Sequence, residues 1–392
     1  MGTTPETSSS IPVVWNETCV TDQDFASASI LLLPPHKLWP AWTGGSPVDD
    51  EDRERPYRSL AKRGFTYARR ELNSFPINPG ARAHSMYCAI DPFRAINLMW
   101  TDREAKFIVC FFESSALAVL LLRRVFRFKA KVIVVDLGML EWRPRRFLLN
   151  LVVPRADAIL PYSTAHAEMI RKTWPKARLV YPVYAQVDTD FYDEAEDQPD
   201  GPVFAAGDDQ SRDYATLLEI APAVGHAIVI RSKLVLPGPH PVNVRIMPDA
   251  VPLPAYRDLL AAASIVVLPL HPVVNGGGTS ALVQAMASGK AVVTTASPGI
   301  LDYVVDGETA LVVPCHDPTA MQAAIARLLT DHVFRRKLGA AGRQRALQVN
   351  SYEAWADTIE TVADLLSPAP LAHGFGADIT ALGGGAAGLA TR

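Results

Sequence analysis

The strongest constraint on the fold is a repeated alternation of short apolar runs with longer amphipathic stretches. In the first half of the chain the apolar runs occupy residues 30–33, 107–112, 131–135, 158–160 and 179–181. After an acidic stretch at residues 193–200 the pattern begins again, with runs at residues 203–206, 227–230, 243–247, 265–268 and 291–294. Buried strands that alternate with helices form parallel sheets. The sequence therefore predicts two α/β domains, each built on a parallel sheet.

Length and composition agree with two folded domains. The chain has 392 residues, more than the roughly 250–300 at which one hydrophobic core stops growing. Its 38 basic and 41 acidic side chains leave a net charge of −3, which argues against a nucleic-acid partner. The start of the chain lacks the charged region of a secretory signal, and no apolar run approaches the roughly 20 residues of a spanning helix. The four cysteines have no C-x-x-C spacing, so we expect no disulfide framework or structural zinc site and a cytoplasmic location.

Domain boundaries follow from the same patterns. We predict a flexible N-terminus over residues 1–27, a first Rossmann-like domain over residues 28–190 and a second over residues 200–349. A terminal helix is expected over residues 351–366, and the Gly- and Ala-rich residues 367–392 are typical of a disordered tail. Asp317 followed by Pro318 predicts the start of another helix, because these residue types favour the N-cap and first helical positions.

The segment at residues 266–295 carries the clearest chemical signal. It reads as a strand, a glycine loop, a helix, a glycine stop and a second strand. Gly276, Gly277 and Gly278 leave backbone N–H groups uncovered, and Thr279 or Ser280 is expected to cap the helix, which predicts a diphosphate site. Gln284 lies one turn further on the face of Ser280, where it can bond a ribose hydroxyl. The alternative is a tight connection without a ligand; a Walker A loop is excluded because Lys290 follows the helix.

These residues resemble a known family. Residues 277–294, with the core Ala-Met-Ala-Ser-Gly-Lys-Ala-Val-Val, are similar to the donor-binding segment of retaining glycosyltransferases of family 4, which have the GT-B fold. Further segments that resemble this family are residues 156–163, 187–191, 204–218, 251–268 and 299–314. The resemblance runs from about residue 100 to 365. It implies an acceptor domain and a nucleotide-sugar domain that face a cleft, with the terminal helix returning to the first domain.

The resemblance also implies roles for particular residues. A basic residue after the first strand of the second domain neutralises the donor diphosphate, and Arg212, on the loop that begins at Gly207, occupies that position. Lys233 is a second candidate for this role, or a solvated surface lysine. The implied reaction is sugar transfer with retention, without a metal ion or a cofactor beyond the nucleotide-sugar substrate. The motif Asp188-x-Asp190 lies in the linker, so it does not resemble the metal-binding loop of metal-dependent transferases.

The sequence departs from the family pattern at three positions. A pair of glutamates in the donor loop is replaced by Gly276 and Gln284, which leaves the sugar contact to backbone N–H groups or Asn275. A histidine beside the transferred sugar is replaced by Asp136, which either bonds a sugar hydroxyl or caps the next turn. His271, at the end of a strand before the donor loop, is either functional or an ordinary packed or solvated histidine. Two alternatives to a transferase therefore stay open, a nucleotide-sugar-binding protein and a nucleotide-sugar epimerase or hydrolase of this fold.

Residues 123–147 are strongly basic. The eight basic residues between Arg123 and Arg146 are interleaved with Phe126, Phe128, Trp142 and Phe147, against two acidic residues. Such a segment suits the anionic inner face of a membrane, which predicts peripheral contact there. The alternative is that these arginines pair with acidic residues elsewhere or line the cleft for an acidic acceptor. The acceptor itself, whether a glycan, a lipid-linked sugar or a small molecule, is not specified by the sequence.

Overall fold

The computed structural model describes residues 29–33, 57–69, 90–135, 143–236 and 238–367. Within them the first sheet has five parallel strands in the order β2-β1-β3-β4-β5. Its strands are β1 (Ile30–Leu33), β2 (Tyr67–Arg69), β3 (Phe107–Phe111), β4 (Lys131–Val135) and β5 (Ala158–Leu160). The accompanying helices are α1 (Pro92–Thr101), α2 (Phe112–Leu122), α3 (Arg143–Val152) and α4 (Thr164–Thr173).

The second sheet has six parallel strands in the order β11-β10-β9-β6-β7-β8. They are β6 (Val203–Ala206), β7 (Ile228–Arg231), β8 (Val244–Met247), β9 (Ile265–Leu268), β10 (Val292–Thr295) and β11 (Leu311–Val313). Its helices are α5 (Tyr214–Val224), α6 (Leu253–Ala262), α7 (Thr279–Ala287), α8 (Pro318–Thr330) and α9 (His332–Val349). The prediction of two α/β domains with parallel sheets is confirmed.

The strands read as apolar runs because both faces of each sheet are covered. In β4, Val132, Ile133, Val134 and Val135 are all fully buried, and they divide between the two apolar clusters on either side of the sheet. Strand β9 behaves in the same way, since Val266 and Leu268 face one cluster while Ile265 and Val267 face the other. A strand buried on both faces has no polar positions, which is what made these elements visible in the sequence.

Some elements differ from the sequence prediction. Residues 179–181 do not form a strand; Val180 makes a single bridge to Ile159, at the edge of the first sheet. Strands β2 and β11, each of three residues and each at the edge of its sheet, were not predicted. The helix start at Pro318 is confirmed, with the Asp317 side chain accepting a hydrogen bond from the Ala320 N–H at 2.9 Å.

The last described helix, α10 (Tyr352–Leu366), packs on the first sheet although it follows the second domain. Its Trp355 is buried in a cluster with Leu32 and Val109, and its ring stacks on Phe111 at a centroid distance of 6.3 Å. Arg63 of the first domain donates from Nη2 to the Glu353 carbonyl at 2.9 Å. The chain therefore crosses between the domains twice. The predicted N-terminal and C-terminal tails, residues 1–27 and beyond 367, lie outside the described residues.

Candidate functional site

The candidate site lies at the carboxyl edge of the second sheet, where β6 and β9 end. The loop after β9 leads into α7, whose N-cap is Gly278 with φ +91°. The prediction that Thr279 or Ser280 caps this helix is wrong. The N-cap is a glycine without a side-chain bond, while the Thr279 hydroxyl donates back to the Gly276 carbonyl at 2.8 Å and Ser280 is exposed. The N-terminus of α7, with its partial positive charge, therefore opens directly at the glycine loop.

Arg212 is the cation of this site. Its side chain is only 4% exposed, and its backbone makes an isolated bridge to Leu270, two residues after the end of β9. A Cβ on Gly207 would overlap Nε of Arg212, and a Cβ on Gly278 would lie 2.7 Å from Nη1. The guanidinium therefore lies between the two glycines, and it joins the loop that begins at Gly207 to Gly278, which is distant in the sequence.

The guanidinium has unused hydrogen-bonding capacity. Nη2 of Arg212 lies 3.3 Å from Oδ2 of Asp209, whereas Nε and Nη1 are buried without a partner among the described residues. A buried donor that lacks an acceptor is costly, so such groups are rare unless a ligand or water satisfies them. An anion at the start of α7 would meet this requirement.

Gly276, which the resemblance aligns with a family glutamate, lies close to a side chain of the first domain. A Cβ there would lie 3.1 Å from Cβ and 3.2 Å from Cδ2 of Tyr162, a residue of the first domain. The neighbouring Ser163 hydroxyl donates to the Val274 carbonyl at 2.8 Å, and the Tyr303 hydroxyl donates to the Tyr162 carbonyl at 2.7 Å. The donor loop is thus in contact with the first domain at this point, which leaves little room for a side chain at position 276.

The other candidate residues differ in their surroundings, since one holds the turn of the loop and two have side chains that are at least partly exposed. Oδ1 of Asn275 accepts from the Gly277 N–H at 3.1 Å, so this side chain helps to hold the turn. Gln284 is half-buried on α7, one turn beyond the exposed Ser280 and on the same face. Lys233 has an exposed side chain, and its N–H donates to Oδ1 of Asp208 at 2.8 Å.

Lys290 follows the helix after the glycine loop, which is why the sequence does not fit a Walker A loop. In the structure it is a buried residue with a structural role. Its Nζ donates to the carbonyl oxygens of Glu196, Ala261 and Ala263 at 2.9, 2.7 and 3.0 Å. Burial lowers the pKa of this ammonium to about 8. The lysine therefore connects the linker to α6 and to the start of β9.

Two further points concern the first domain. Asp136, the proposed sugar-facing residue, lies outside the described residues. Glu113, which the sequence analysis did not consider, is buried in the first turn of α2 at the carboxyl edge of β3. It follows Phe112, whose φ of +65° is unusual for a bulky residue and marks a tight turn from strand to helix. A carboxyl directly after an apolar strand was the sequence signal that could have identified it.

The basic segment at residues 123–147 does not form one patch. Strand β4 crosses the sheet in the middle of it, so Arg124, Arg127 and Lys129 lie at the amino edge while α3 begins beyond the carboxyl edge. Phe126 packs against the core and Phe128 is buried within it, which corrects the prediction that both are surface aromatics. At the carboxyl edge Arg146 is exposed and Phe147 is 67% exposed. Trp142 lies outside the described residues.

Arg123 belongs to an ion pair rather than to an open surface. Its Nη1 lies 2.5 Å from Oδ2 of Asp157, and Nη1 of Arg178 lies 2.7 Å from Oδ1. Burial raises the pKa of the Asp157 carboxyl, but the Val132 N–H and Arg123 outweigh it and hold the pKa below its usual value. For Arg123 the prediction of pairing with acidic residues is therefore the correct one.

The sequence analysis predicted neither a membrane-spanning helix nor a disulfide framework. Among the described residues, no helix has the length and apolar content that crossing a bilayer requires. Cys110 and Cys315, the two cysteines in the described ranges, are both free thiols.

The linker motif Asp188-x-Asp190 has a structural role, because Oδ1 of Asp188 accepts from the N–H groups of Asp190 and Phe191 at 3.1 and 3.0 Å.

Comparisons with known proteins agree with this architecture. Residues 246–345 match the family model described as Glycosyl transferases group 1. The D-inositol 3-phosphate glycosyltransferase of Corynebacterium diphtheriae is 32% identical over 114 residues, which make up 29% of this chain and 26% of that protein. The match thus spans about a quarter of the curated relative's length.

Solved structures match over most of the chain. Sucrose-phosphate synthase from Thermosynechococcus elongatus has a TM-score of 0.63 at 17% identity, covering 86% of this chain and 98% of that one. Anabaena HepE in complex with UDP and glucose has a TM-score of 0.60 at 14% identity, covering 85% and 98%. The fold is therefore GT-B, and residues 246–345 of its second domain are the part that is similar to the group 1 family model.

Proposed function

We propose that the protein is a glycosyltransferase that moves a sugar from a nucleotide-sugar donor to an acceptor. The observation that carries this proposal is the buried guanidinium of Arg212, which has two unpartnered N–H groups beside the N-terminus of α7. A positive side chain and a helix N-terminus that meet at a glycine loop are complementary to a diphosphate. The group 1 match at residues 246–345 covers this loop and α7 and agrees with the proposal.

The proposed chemistry follows from where negative charge develops. When the bond from the sugar to the diphosphate breaks, charge grows on the leaving phosphate, and groups already aimed at it lower the barrier. We assign this task to Arg212 and to the N-terminus of α7. We assign Gln284 to the ribose, and Asn275 and the loop N–H groups to the donor sugar. Retention of configuration and membership of family 4 are part of the proposal, carried over from the resemblance.

The acceptor would enter from the first domain. Its sheet presents Glu113 at the carboxyl edge of β3, and Asp136 is the next residue in the sequence after β4. Either carboxyl can accept a hydrogen bond from a sugar hydroxyl. We propose Asp136 as the group that faces the transferred sugar, in the position of the family histidine, without a metal ion in the reaction.

We also propose a contact with an anionic membrane through the beginning of α3. The exposed Arg146 and Phe147 combine a cation with an apolar ring at the carboxyl edge of the first sheet. Anionic lipid headgroups attract such cations, and the ring adds apolar contact. Arg124 and Arg127 lie at the opposite edge, so they are assigned no part in this contact. The surface would bring a lipid-linked acceptor to the cleft.

A second candidate function is nucleotide-sugar binding without transfer. Tyr162 crowds position 276, where the family has a glutamate that contacts the donor sugar, and this observation favours the alternative. An epimerase or hydrolase on the same fold would also use the diphosphate site. The three activities differ in their products, since a transferase yields a glycosylated acceptor, an epimerase or hydrolase an altered or free sugar, and a binding protein neither.

The test combines ligand binding with product analysis. Thermal shifts with a panel of nucleoside diphosphates and their sugars identify the donor, because a ligand selective for the folded state raises the melting temperature. We expect Arg212→Ala to lower the affinity for the diphosphate by about 10- to 150-fold, the equivalent of about 1.5–3 kcal/mol for a charged hydrogen bond. Arg245→Ala, which removes an exposed arginine of β8 that has no part in the proposed site, is the control. Equal affinities for wild type and Arg212→Ala would move the phosphate site elsewhere.

A further inference from the structure

Three side chains from separate segments meet beside the donor loop. Asp213 is the N-cap of α5, His271 follows β9 after two residues, and His316 lies in the turn between β11 and α8. One ligand atom from each, a carboxylate oxygen or an imidazole nitrogen, lies within 4.8 Å of the other two. Such a set of two imidazoles and one carboxylate is a common ligand combination for late first-row divalent metal ions.

The backbone brings these groups together in a defined way. Nδ1 of His316 lies 3.0 Å from Oδ2 of Asp213, and the imidazoles of His271 and His316 have their centroids 5.0 Å apart. His316 has a φ of +59°, a left-handed conformation that few residues with a side chain adopt. The His271 N–H is fixed by the Ser211 carbonyl at 2.8 Å. The three side chains therefore converge at one point.

The burial of the three groups also suits a bound cation. The Asp213 carboxylate is only 3% exposed, and Oδ1 and Oδ2 already accept from the N–H and the hydroxyl of Thr216 at 3.2 and 2.6 Å. Such bonds fix the orientation of a carboxylate ligand, in the manner of an outer coordination shell. The His316 side chain is 52% exposed, so the ion can enter from solvent and keep a water in an open position.

We propose that Asp213, His271 and His316 bind a divalent cation of the zinc class. A tetrahedral ion with ligand bonds of about 2.0–2.2 Å holds its ligand atoms about 3.3–3.6 Å apart. The pair from Asp213 and His316 is close to that separation, and rotation of the half-buried His271 imidazole brings in the third nitrogen. The fourth position is left to water. The site is independent of the proposed transfer reaction and does not include Arg212.

The position of the site indicates what the ion would do. Asp213 directly follows Arg212, and His271 directly follows Leu270, whose backbone bridges to Arg212. A bound ion would therefore join the arginine loop to the strand that leads into the glycine loop, with the turn after β11 as the third support. We infer a structural role, in which the ion stabilises the second domain.

The test uses the full-length chain without an affinity tag, since a histidine tag would bind the same ions. Protein freed of metal with a chelator is titrated with Zn²⁺ by calorimetry and with Co²⁺ by visible absorption. We expect one tight Zn²⁺ site per chain, visible Co²⁺ bands of the intensity that tetrahedral coordination gives, and a raised melting temperature.

Variants assign the ion to these residues. We expect His271→Ala and His316→Asn each to weaken Zn²⁺ binding at least tenfold, with asparagine chosen because it tolerates the left-handed conformation. His240→Ala removes an exposed histidine elsewhere in the second domain and should leave binding unchanged. Binding that is equal in wild type and both variants would overturn the proposal. Failure of folded wild-type protein to give the Co²⁺ bands would overturn it without any variant.

Discussion

Nη1 of Arg212 lies so close to the backbone of Gly278 that a Cβ on residue 278 would be 2.7 Å from it. The two residues are 66 positions apart, yet the arginine needs the glycine in order to reach the N-terminus of α7. The same glycine has a φ of +91°, so both its missing side chain and its conformation contribute to the site. This relationship makes Gly278 as important to the proposed diphosphate site as the arginine.

Gly278→Ala should therefore weaken nucleoside diphosphate binding. The added methyl group meets Nη1 and pushes the guanidinium away from the loop, and we expect at least a tenfold loss of affinity by calorimetry. Gly225→Ala is the matched control, because Gly225 also has a positive φ, +62°, but nothing lies within 4 Å of its Cβ position. Both variants carry the cost of an unfavourable backbone conformation, so only the first should lose the ligand. Equal losses in both would attribute the effect to stability alone.

Gln284 provides a test of the ribose assignment. Removing its amide in Gln284→Ala should weaken donor binding about fivefold, which corresponds to about 1 kcal/mol for a neutral hydrogen bond. Gln284→Glu introduces the glutamate that the family 4 glycosyltransferases have at this position. This variant should bind the donor as well as wild type or better. Titration of the three proteins with the nucleoside diphosphate found in the thermal-shift panel gives the comparison. A glutamate variant that binds no better than the alanine variant would contradict the assigned register of α7.

The strands that are buried on both faces of a sheet could be predicted from the sequence. Features that depend on contacts between residues far apart in the sequence could not. The runs at residues 131–135 and 265–268 were unambiguous because every position in them except Lys131 is apolar. The cap of α7 was predicted wrongly because local preference favours Thr279 or Ser280, while the packing of Arg212 requires a glycine at that point. The glycine at position 276 could be seen in the sequence, but its close approach to Tyr162, which lies in the other domain, could not.

The positions of the basic side chains on the surface could not be predicted from the sequence for the same reason. Eight basic residues in one stretch indicated a single surface, but a five-residue strand places their two halves at opposite edges of a sheet, and Arg123 pairs with Asp157. Sequence order carries no information about which acidic partner lies nearby in the fold. The sequence also gave no sign that Asp213, His271 and His316 lie together in the fold. They come from three separate segments, and none of them belongs to a metal-binding motif.

Lys290 is expected to be important for stability rather than catalysis. Lys290→Met keeps much of the side-chain volume but leaves three buried carbonyl oxygens without their donor, which should cost about 2–3 kcal/mol in the free energy of unfolding. Urea denaturation measures this change. Lys233→Met, at an exposed position, is the control and should change stability by less than about 0.5 kcal/mol. A Lys290→Met protein as stable as wild type would show that the carbonyls find other donors.

The division of the basic segment gives a paired test of membrane contact. Arg146→Glu combined with Phe147→Ser should weaken binding to anionic vesicles at least tenfold at low salt, since each cation near the leaflet contributes about 1 kcal/mol. Arg124→Glu combined with Val125→Ser makes the same change of charge and removes a side chain that is 74% exposed, but at the opposite edge of the sheet. Cosedimentation should show a loss only for the first pair. Equal losses, or no binding by wild type, would exclude the proposed surface.

The ion pair of Arg123 with Asp157 predicts how stability depends on pH. In the folded protein the pKa of Asp157 is lowered, so its contribution is fully present above the ordinary carboxyl pKa of about 3.9 and is lost as the pH falls through the folded value. Asp157→Asn should therefore be less stable than wild type by about 1.5–3 kcal/mol at pH 6.

Urea denaturation of both proteins between pH 6 and pH 3 checks the sign of this effect. The difference between wild type and Asp157→Asn should shrink on the acid side of pH 4, because protonation of Asp157 removes the charge that Arg123 and Arg178 contact. Asp258→Asn is the control, since Asp258 pairs with Arg257 on an exposed surface and should show little change at any pH. A difference that stays constant down to pH 3 would mean that packing around residue 157, rather than its charge, stabilises the first domain.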